Sequence, residues 1–490
     1  MKLSVLMQAL SLSLDNRQDI NIDLITQNSK ETHANSLFVC ISGLRADGHT
    51  YAINAYQNGC RAFLATRPLS LPSDATVFTV PDTRRALAKL ACTFYGNPSH
   101  QLRVIGITGT KGKTTVACLL REILEQNGVP CGYIGTNGVL YKNHAFASQN
   151  TTPDPITLQK NLYDMRKAGC AAAVVEISSQ ALKQYRADGT VFEACIFTNL
   201  SRDHIGEGEH ADMADYMACK RRLFTDFPMK AVIYQADDEK SAEILSNPTA
   251  QKRIPVSMQN AGNYTATDLC LLRAKNILGS AFTLQHGEIS TPCELSLIGE
   301  INVSNALLAI ATAAECFEIP LPLAAKSLKN ARISGRSETV ALPNGAIAVI
   351  DYAHNGESLR QILTGLRAYA PHRLLCLFGS VGSRTLLRRR ELGEVAAQLA
   401  DFCILTSDNP GKEAPEHIIA DILQGFAQSD TSYVCIPNRE EAILFGIKEA
   451  KKGDILLLAG KGHETYQLIG DKMLPFSEKD ILLGATLQQS

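Results

Sequence analysis

Residues 104–115 read VIGITGTKGKTT, and this dozen decides the fold. Val104, Ile105 and Ile107 form the apolar run of a buried strand. A glycine turn follows, and Lys113-Thr114-Thr115 opens a segment, ACLLREILEQNG, with helical periodicity. Such a strand–turn–helix unit aims backbone N–H groups at a phosphate. Its lysine reaches the outer phosphates, and a threonine hydroxyl ligates Mg²⁺. Five residues separate Gly106 from Gly112, where the Walker pattern has four, so the better description is Thr-Gly-x-x-Gly-Lys-Thr-Thr from Thr108. The competing reading is a glycine-rich turn with a surface lysine. The agreement of strand, glycines, Lys-Thr and helix weighs against it.

The length of 490 residues suggests about three domains. At 45% hydrophobic and 20% charged, the chain can bury large cores. A net charge of −1 gives no ground for a nucleic-acid surface, so an anionic ligand must be held by local cations and helix N-termini. The fourteen cysteines show no CxxC pair and no zinc spacing, and read as reduced cytoplasmic thiols. At the N-terminus Leu3, Leu6, Leu10 and Leu14 recur at helical spacing, which predicts an amphipathic helix rather than a signal peptide. No apolar run approaches the length of a membrane span. The expected working form is a cytoplasmic monomer with neither nucleic-acid nor membrane partner.

Three segments are expected: 1–102, 103–333 and 334–490. The first carries short strands (SLFVCISG, AFLATR) and a helix over 51–59. The second holds the phosphate loop and near-continuous apolar runs (VPCGYIGT, AAAVVEISS, EACIFTNLS), as in parallel strands covered on both faces. The third repeats the strand–helix alternation, from AIAVIDYAH to DILLLAGKGH. The predicted class is α/β, with a P-loop ATPase-like parallel sheet in the centre. Polar residues crowd the C-terminal ends of these strands, at Glu176, Asp203-His204, 351–354, Asp408-Asn409 and 461–464. Ligands of open parallel sheets bind outside those ends, which suggests a reaction in a cleft between two such crests.

Glu176 ends its strand in EISSQ, and a carboxylate beside a phosphate loop is a natural magnesium ligand; a solvent-facing strand end is the rival reading. His204 suits a second metal or the orienting of a carboxylate, or is a hydrogen-bonded loop histidine. Lys220 is the odd residue. Met213, Tyr216, Met217, Leu223 and Phe224 define one apolar helix face, and Lys220 falls on it. Periodicity alone favours a lysine that snorkels to the surface. The sharper reading is a desolvated amine of lowered pKa, open to carbamylation by CO₂ and so to service as an anionic metal ligand.

Taken in order, these motifs resemble the Mur ligases, and within them the UDP-N-acetylmuramoyl-tripeptide synthetases, over essentially the whole chain. TGTKGKTT resembles the family's phosphate loop, with Lys111 where asparagine is usual. NTTPD (150–154) and EISSQALKQYR (176–186) resemble the segments that hold a muramoyl peptide. TNLSRDH (198–204) and MACKRRLF (217–224) resemble the metal-histidine segment and the carbamylated-lysine helix. GEINVSNALLA (299–309), SGRSE (334–338) and DYAHN (351–355) resemble nucleotide-binding and hinge segments. SDNPG (407–411) and GKGHETYQ (460–467) resemble the surroundings of the incoming amino acid.

The resemblance implies an N-terminal domain for the UDP end, a central ATPase domain and a C-terminal Rossmann-like domain. Ser29 would meet uracil. Thr151, Thr152, Ser178, Gln184 and Arg186 would hold the muramoyl dipeptide. Gly109, Thr110, Lys111, Gly112, Lys113, Thr114 and Thr115, with Asn305, Arg336 and His354, would bind ATP. Arg389, Asp408, Asn409, Gly460 and Glu464 would face the amino acid. Mg²⁺ would sit on Thr114, Glu176, His204 and carbamylated Lys220. Lys113, Glu176, His204 and Lys220 would then form the catalytic set. The implied reaction joins a diamino acid to UDP-N-acetylmuramoyl-L-Ala-D-Glu through an acyl phosphate, in peptidoglycan precursor synthesis.

The chain departs from the family pattern in places. VGSRT (381–385) replaces a glycine-rich GGDRD, Arg388-Arg389-Arg390 replaces KRP, and IGEGEH follows the metal histidine. Gly411 stands where enzymes that add meso-diaminopimelate carry an arginine for the distal carboxylate. Loss of that fork leans the reading towards L-lysine, with Lys412 as a partial substitute. The alternatives are a folylpolyglutamate or cyanophycin-type ligase, a non-catalytic paralogue that binds UDP-muramoyl peptides, and a nucleotide switch. The N-terminal segment and NTTPD weigh against the first, and the presence of Lys113, Glu176, His204 and Lys220 against the second.

Overall fold

A computed structural model describes residues 1–14, 19–43, 46–203, 205–206, 209–259, 262–274, 277–382 and 384–487. Packing divides the chain into two compact units, 1–264 with 308–320 and 265–307 with 321–490.

The first unit opens with a four-stranded parallel sheet, Leu24–Thr26, Ser36–Val39, Ala62–Ala65 and Thr76–Thr79, in chain order. Successive residues alternate between two cores. Leu37, Val39 and Leu64 pack with Leu3, Leu6 and Leu87, whereas Phe38, Phe63 and Ala65 pack with Ala52 and Ala55. The N-terminal helix spans Leu3–Ala9 only. Ser11 takes a left-handed conformation (φ +59°) that stops it, so Leu14 lies beyond the helix rather than on its apolar face.

The second sheet of this unit has the order Lys252–Ser257, Ala231–Gln235, Ala194–Phe197, Arg103–Thr108, Ala172–Glu176 and Cys131–Gly135, all parallel. Gly138–Tyr141 and His144–Phe146 extend it antiparallel. Arg103–Thr108 is its topological pivot. The chain first builds outward on one side of this strand, then crosses to the other with Ala194–Phe197. In open α/β sheets ligands bind outside the strand ends at such a switch point, and here the phosphate loop leaves the sheet. The helix Lys113–Gln126 packs Val116, Leu119, Leu120, Ile123 and Leu124 inward, all with no exposed surface.

The second unit begins with an antiparallel meander, Tyr264–Ala274, Ile277–His286 and Ile289–Leu295. Its main sheet runs Glu338–Ala341, Ile347–Asp351, Ile455–Ala459, Leu374–Phe378, Phe402–Leu405 and Ser432–Cys435, parallel except for the first strand. Helices cover both faces. Leu359, Leu363 and Leu392 lie in one core, and Ala442, Ile443 and Leu482 in the other. A hairpin, Tyr466–Ile469 with Lys472–Pro475, follows the last parallel strand. All fourteen cysteines are free thiols. Among the described residues no helix is long and apolar enough to cross a membrane.

Leu120→Ala, which removes a fully buried side chain behind the phosphate loop, should destabilise the fold by about 2–5 kcal/mol. A fall in the thermal midpoint of the first unfolding transition checks it.

Candidate active site

Strand Arg103–Thr108 delivers the chain into Gly109–Gly112, and Gly112 (φ +84°) begins the helix without any side-chain cap. The first-turn N–H groups are therefore left for an anion. Gly109 (φ +152°) must be glycine, because a Cβ there would overlap the Thr198 hydroxyl. Asn199 and Thr198, at the end of the neighbouring strand, hold the loop from outside. Thr110 N donates to Asn199 O (2.8 Å), Lys111 N to Asn199 Oδ1 (2.9 Å), and Thr198 Oγ1 to Lys111 O (2.6 Å). Lys111 Nζ pairs with Asp203 Oδ2 at 3.0 Å.

Glu176 is completely buried and reaches the loop. Thr114 Oγ1 donates to its Oε2 at 3.0 Å. Tyr133 OH (2.5 Å) and Thr136 N (3.1 Å) donate to Oε1, and Thr136 Oγ1 (3.1 Å) to Oε2. A buried carboxylate met by hydroxyls is a set of hard oxygen donors, which suits Mg²⁺. The buried Thr152 hydroxyl donates to Glu176 O (2.8 Å) and accepts from Ser178 N (2.9 Å). Arg186 donates to Thr152 O (2.7 Å) and to Gln184 Oε1 (2.8 Å), and Thr151 meets Thr136 through their hydroxyls (3.2 Å). Thr151, Thr152, Ser178, Gln184 and Arg186 thus form one hydrogen-bonded group with Glu176.

Lys220 lies on the inward face of helix Met213–Thr225 with only 1% of its surface exposed. It does not snorkel. Nζ donates to Gly109 O at 2.7 Å and sits 4.5 Å from the centre of the Tyr216 ring. Burial, with Lys113 repelling it, pushes its pKa well below the usual lysine range. Lys113 Nζ donates to Gly109 O (2.9 Å) and Thr110 O (3.0 Å). Two lysines therefore share one loop carbonyl. His204 lies outside the described residues.

Ser29 is not part of this group; it begins a short helical turn, Ser29–Glu31, after the first strand of the N-terminal sheet. It lines a cavity of about 450 Å³ with Asn28, Tyr51, Asn54 and Asn58.

In the second unit the loops after Phe402–Leu405 and Ile455–Ala459 converge on Lys461, whose side chain is fully buried. Its Nζ donates to Asn409 Oδ1 (3.0 Å) and Glu464 Oε2 (3.1 Å) and lies 3.6 Å from Asp408. Asn409 Nδ2 donates to Glu464 Oε2 (2.8 Å), and a Cβ on Gly460 would come 2.9 Å from Asp408 Oδ2. Asp408, Asn409, Gly460 and Glu464 therefore share one pocket. Arg389 is turned elsewhere: it binds both oxygens of Glu413 (2.6 and 2.7 Å) and Asp421 (2.8 Å). Arg336 lies over the Tyr352 ring at 4.6 Å, beside His354 and His463, whereas the buried Asn305 turns its amide to Asn302 of its own helix. Sequence reasoning did not nominate Tyr133, Thr136 or Asn199 as supports. The only trace of Thr136 and Asn199 is their place just after an apolar strand, and Tyr133 leaves none.

Family profiles match most of the chain. That of the Mur ligase family catalytic domain covers 21–95, that of the Mur ligase middle domain 107–313, and that of the Mur ligase glutamate ligase domain 335–462. The chain belongs to the Mur ligase family. It is therefore a ligase with the family's three-domain mixed α/β fold. UDP-N-acetylmuramoyl-L-alanyl-D-glutamate–2,6-diaminopimelate ligases of Caldanaerobacter subterraneus subsp. tengcongensis and Listeria monocytogenes serotype 4b are each 36% identical to this Mur ligase. The alignments cover 98% of this chain, and 98% and 97% of the relatives. A solved structure bearing the same enzyme name is 30% identical, covers 100% of this chain and 99% of its own, and superposes with a TM-score of 0.72. MurF of Acinetobacter baumannii, at 20% identity and a TM-score of 0.65 over 99% of this chain and 98% of its own, shares the fold.

Gly135→Ala places a methyl against the Glu176 carboxylate and the Tyr133 hydroxyl. It should lower ligase turnover by about a hundredfold, the effect of displacing a reacting group by about 1 Å, and lower the thermal midpoint, because the buried carboxylate is pushed off its donors. Steady-state rates and a melting curve check both parts.

Proposed function

We propose that this Mur ligase joins a diamino acid to the D-glutamyl carboxylate of UDP-N-acetylmuramoyl-L-alanyl-D-glutamate, converting ATP to ADP and phosphate, in peptidoglycan precursor synthesis. The observation that carries the reading is the meeting of Thr114, Glu176 and Lys220 at an uncapped phosphate loop. The names of the relatives supply the substrates. The working division is 1–102 for the UDP end, 103–333 for ATP and 334–490 for the amino acid.

In this scheme the substrate carboxylate attacks the γ-phosphorus, the bond to ADP breaks, and an acyl phosphate forms. The amine of the diamino acid then attacks the carbonyl carbon, phosphate leaves and the amine loses a proton. Two anions must first approach each other. The N–H groups of 109–115 and Lys113 hold the phosphates, and Asn305, Arg336 and His354 hold the rest of the nucleotide. Thr114 and Glu176 would hold Mg²⁺, which when bound would draw charge from the phosphate oxygens. Lys220, as a neutral amine, would add CO₂ and release a proton, and its carbamate, with His204, would hold a second Mg²⁺. The nearby Lys113 and Lys111, which disfavour an ammonium at Lys220, favour that anion. Thr151, Thr152, Ser178, Gln184 and Arg186 position the muramoyl peptide, and the cavity at Ser29 takes uracil.

Asp408, Asn409, Gly460 and Glu464 receive the amino acid, while Arg389 is paired with Glu413 and Asp421. Its distal end is read at residue 411. The relatives are named for 2,6-diaminopimelate, but Gly411 offers no guanidinium, and Lys412 is paired with Asp471 at 3.0 Å in solvent. Product masses after incubation with the muramoyl dipeptide, ATP and each of lysine, ornithine and diaminopimelate test the proposal. Absence of any tripeptide product would overturn it.

Gly411→Arg should raise the kcat/KM ratio of diaminopimelate over lysine about tenfold, the scale of a charge-assisted bond gained. Lys220→Ala should abolish turnover and be partly restored by a short carboxylic acid. In the unmodified protein activity should fall as pH drops and Lys220 takes up its proton, and added bicarbonate should oppose that fall at constant pH.

A further inference from the structure

Beneath the amino-acid pocket lies a guanidinium that touches none of the pocket residues named above. Arg439, the first residue of helix Arg439–Glu449, has a completely buried side chain. NH1 donates to Ser407 O (3.0 Å), NH2 to Ala459 O (2.9 Å) and Nε to Glu478 Oε1 (2.9 Å). Ser407 immediately precedes Asp408-Asn409, and Ala459 immediately precedes Gly460-Lys461.

The strands behind these carbonyls are not neighbours. Phe402–Leu405 and Ile455–Ala459 each pair with Leu374–Phe378, which lies between them. No sheet hydrogen bond therefore ties one loop to the other. Arg439 spans the intervening strand and bonds to both exit carbonyls. Its planar fork fixes the distance between them, which the single point charge of a lysine cannot do. Glu478, the first residue of the C-terminal helix Glu478–Leu487, holds the guanidinium from the far side, its carboxylate 1% exposed.

We propose that Arg439 is a positioning residue that sets the spacing of the two loops receiving the amino acid, with Glu478 as its anchor. This inference rests on the proposed placement of the amino-acid site at Asp408, Asn409, Gly460 and Glu464. The consequence is selective. Loss of Arg439 removes the bridge between the two exit carbonyls, leaving the loops joined by the side-chain bonds of Asn409, Lys461 and Gln467, and weakens the binding of the amine substrate. The phosphate loop, in the other compact unit, keeps its own supports.

The test measures KM for each of the three substrates and kcat in Arg439→Met, Arg439→Lys and the double variant Arg439→Met with Glu478→Gln. In Arg439→Met the KM for the amino acid should rise about tenfold or more, the scale of one charge-assisted hydrogen bond, while the KM values for ATP and the muramoyl dipeptide stay within about twofold. The double variant removes the carboxylate left unpaired. It should regain thermal stability and keep the raised amino-acid KM. Equal rises in all three KM values, or a return of the amino-acid KM to the parent value in the double variant, would overturn the proposal. Should Arg439→Met not fold, Arg439→Lys carries the same test, because a lysine meets one carbonyl but not both. Failure of the site reading is separately visible, as an unmodified protein in which Asn409→Ala leaves the amino-acid KM unchanged.

Discussion

A carboxylate with no access to solvent is tolerated only where donors surround it, and Glu176 is the constraint on which the first unit depends. Stripping its hydration costs several kcal/mol unless hydrogen bonds replace it. Four donors from three segments do so: the Tyr133 hydroxyl, the Thr136 amide and hydroxyl, and the Thr114 hydroxyl. Satisfying that one side chain aligns the end of Ala172–Glu176 with Cys131–Gly135 and with the first turn of Lys113–Gln126. The Thr152 hydroxyl, bonded to the Glu176 carbonyl, extends the same arrangement to the group that ends in Arg186. The carboxylate beside the loop and the frame that locates it are here one object.

The second tension is one of charge. Lys113 and Lys220 donate to the same Gly109 carbonyl, and among the described residues Lys220 has no carboxylate hydrogen-bond partner. Burial, and repulsion from Lys113, push the Lys220 pKa well below the usual lysine range. A polyanion at the loop would relieve that repulsion at Lys113, and a carboxylate added to the amine would relieve it at Lys220.

The parts of the molecule legible in its sequence are those with a strict period or a fixed spacing. The phosphate loop follows from its glycine and Lys-Thr spacing, the parallel strands from continuous apolar runs, and the place of Lys220 on an apolar helix face from helical spacing, although periodicity alone favours an amine that reaches the surface. The N-terminal helix is overrun because the leucine spacing continues past Ser11, where the backbone turns left-handed. The meander from Tyr264 goes unnoticed because a register shift between Thr267 and Cys270 breaks its alternation. Tyr133 reads as one more apolar strand residue, since nothing local marks its hydroxyl as facing a carboxylate 43 residues away. Asp408, Asn409, Gly460 and Glu464 carry no periodic signal, and only resemblance brought them forward.

Gly411 joins the hairpin through its backbone alone: its N–H donates to Leu468 O (3.0 Å) and its carbonyl accepts from Gly470 N (2.6 Å). Around the position a side chain would occupy, no atom lies within 4 Å. The loop's attachment is therefore indifferent to which residue stands there, apart from about 1–2 kcal/mol of left-handed strain for a non-glycine residue. Substitution at this position is uncoupled from folding, so a single codon change can alter the side chain presented beside the hairpin without rebuilding the fold.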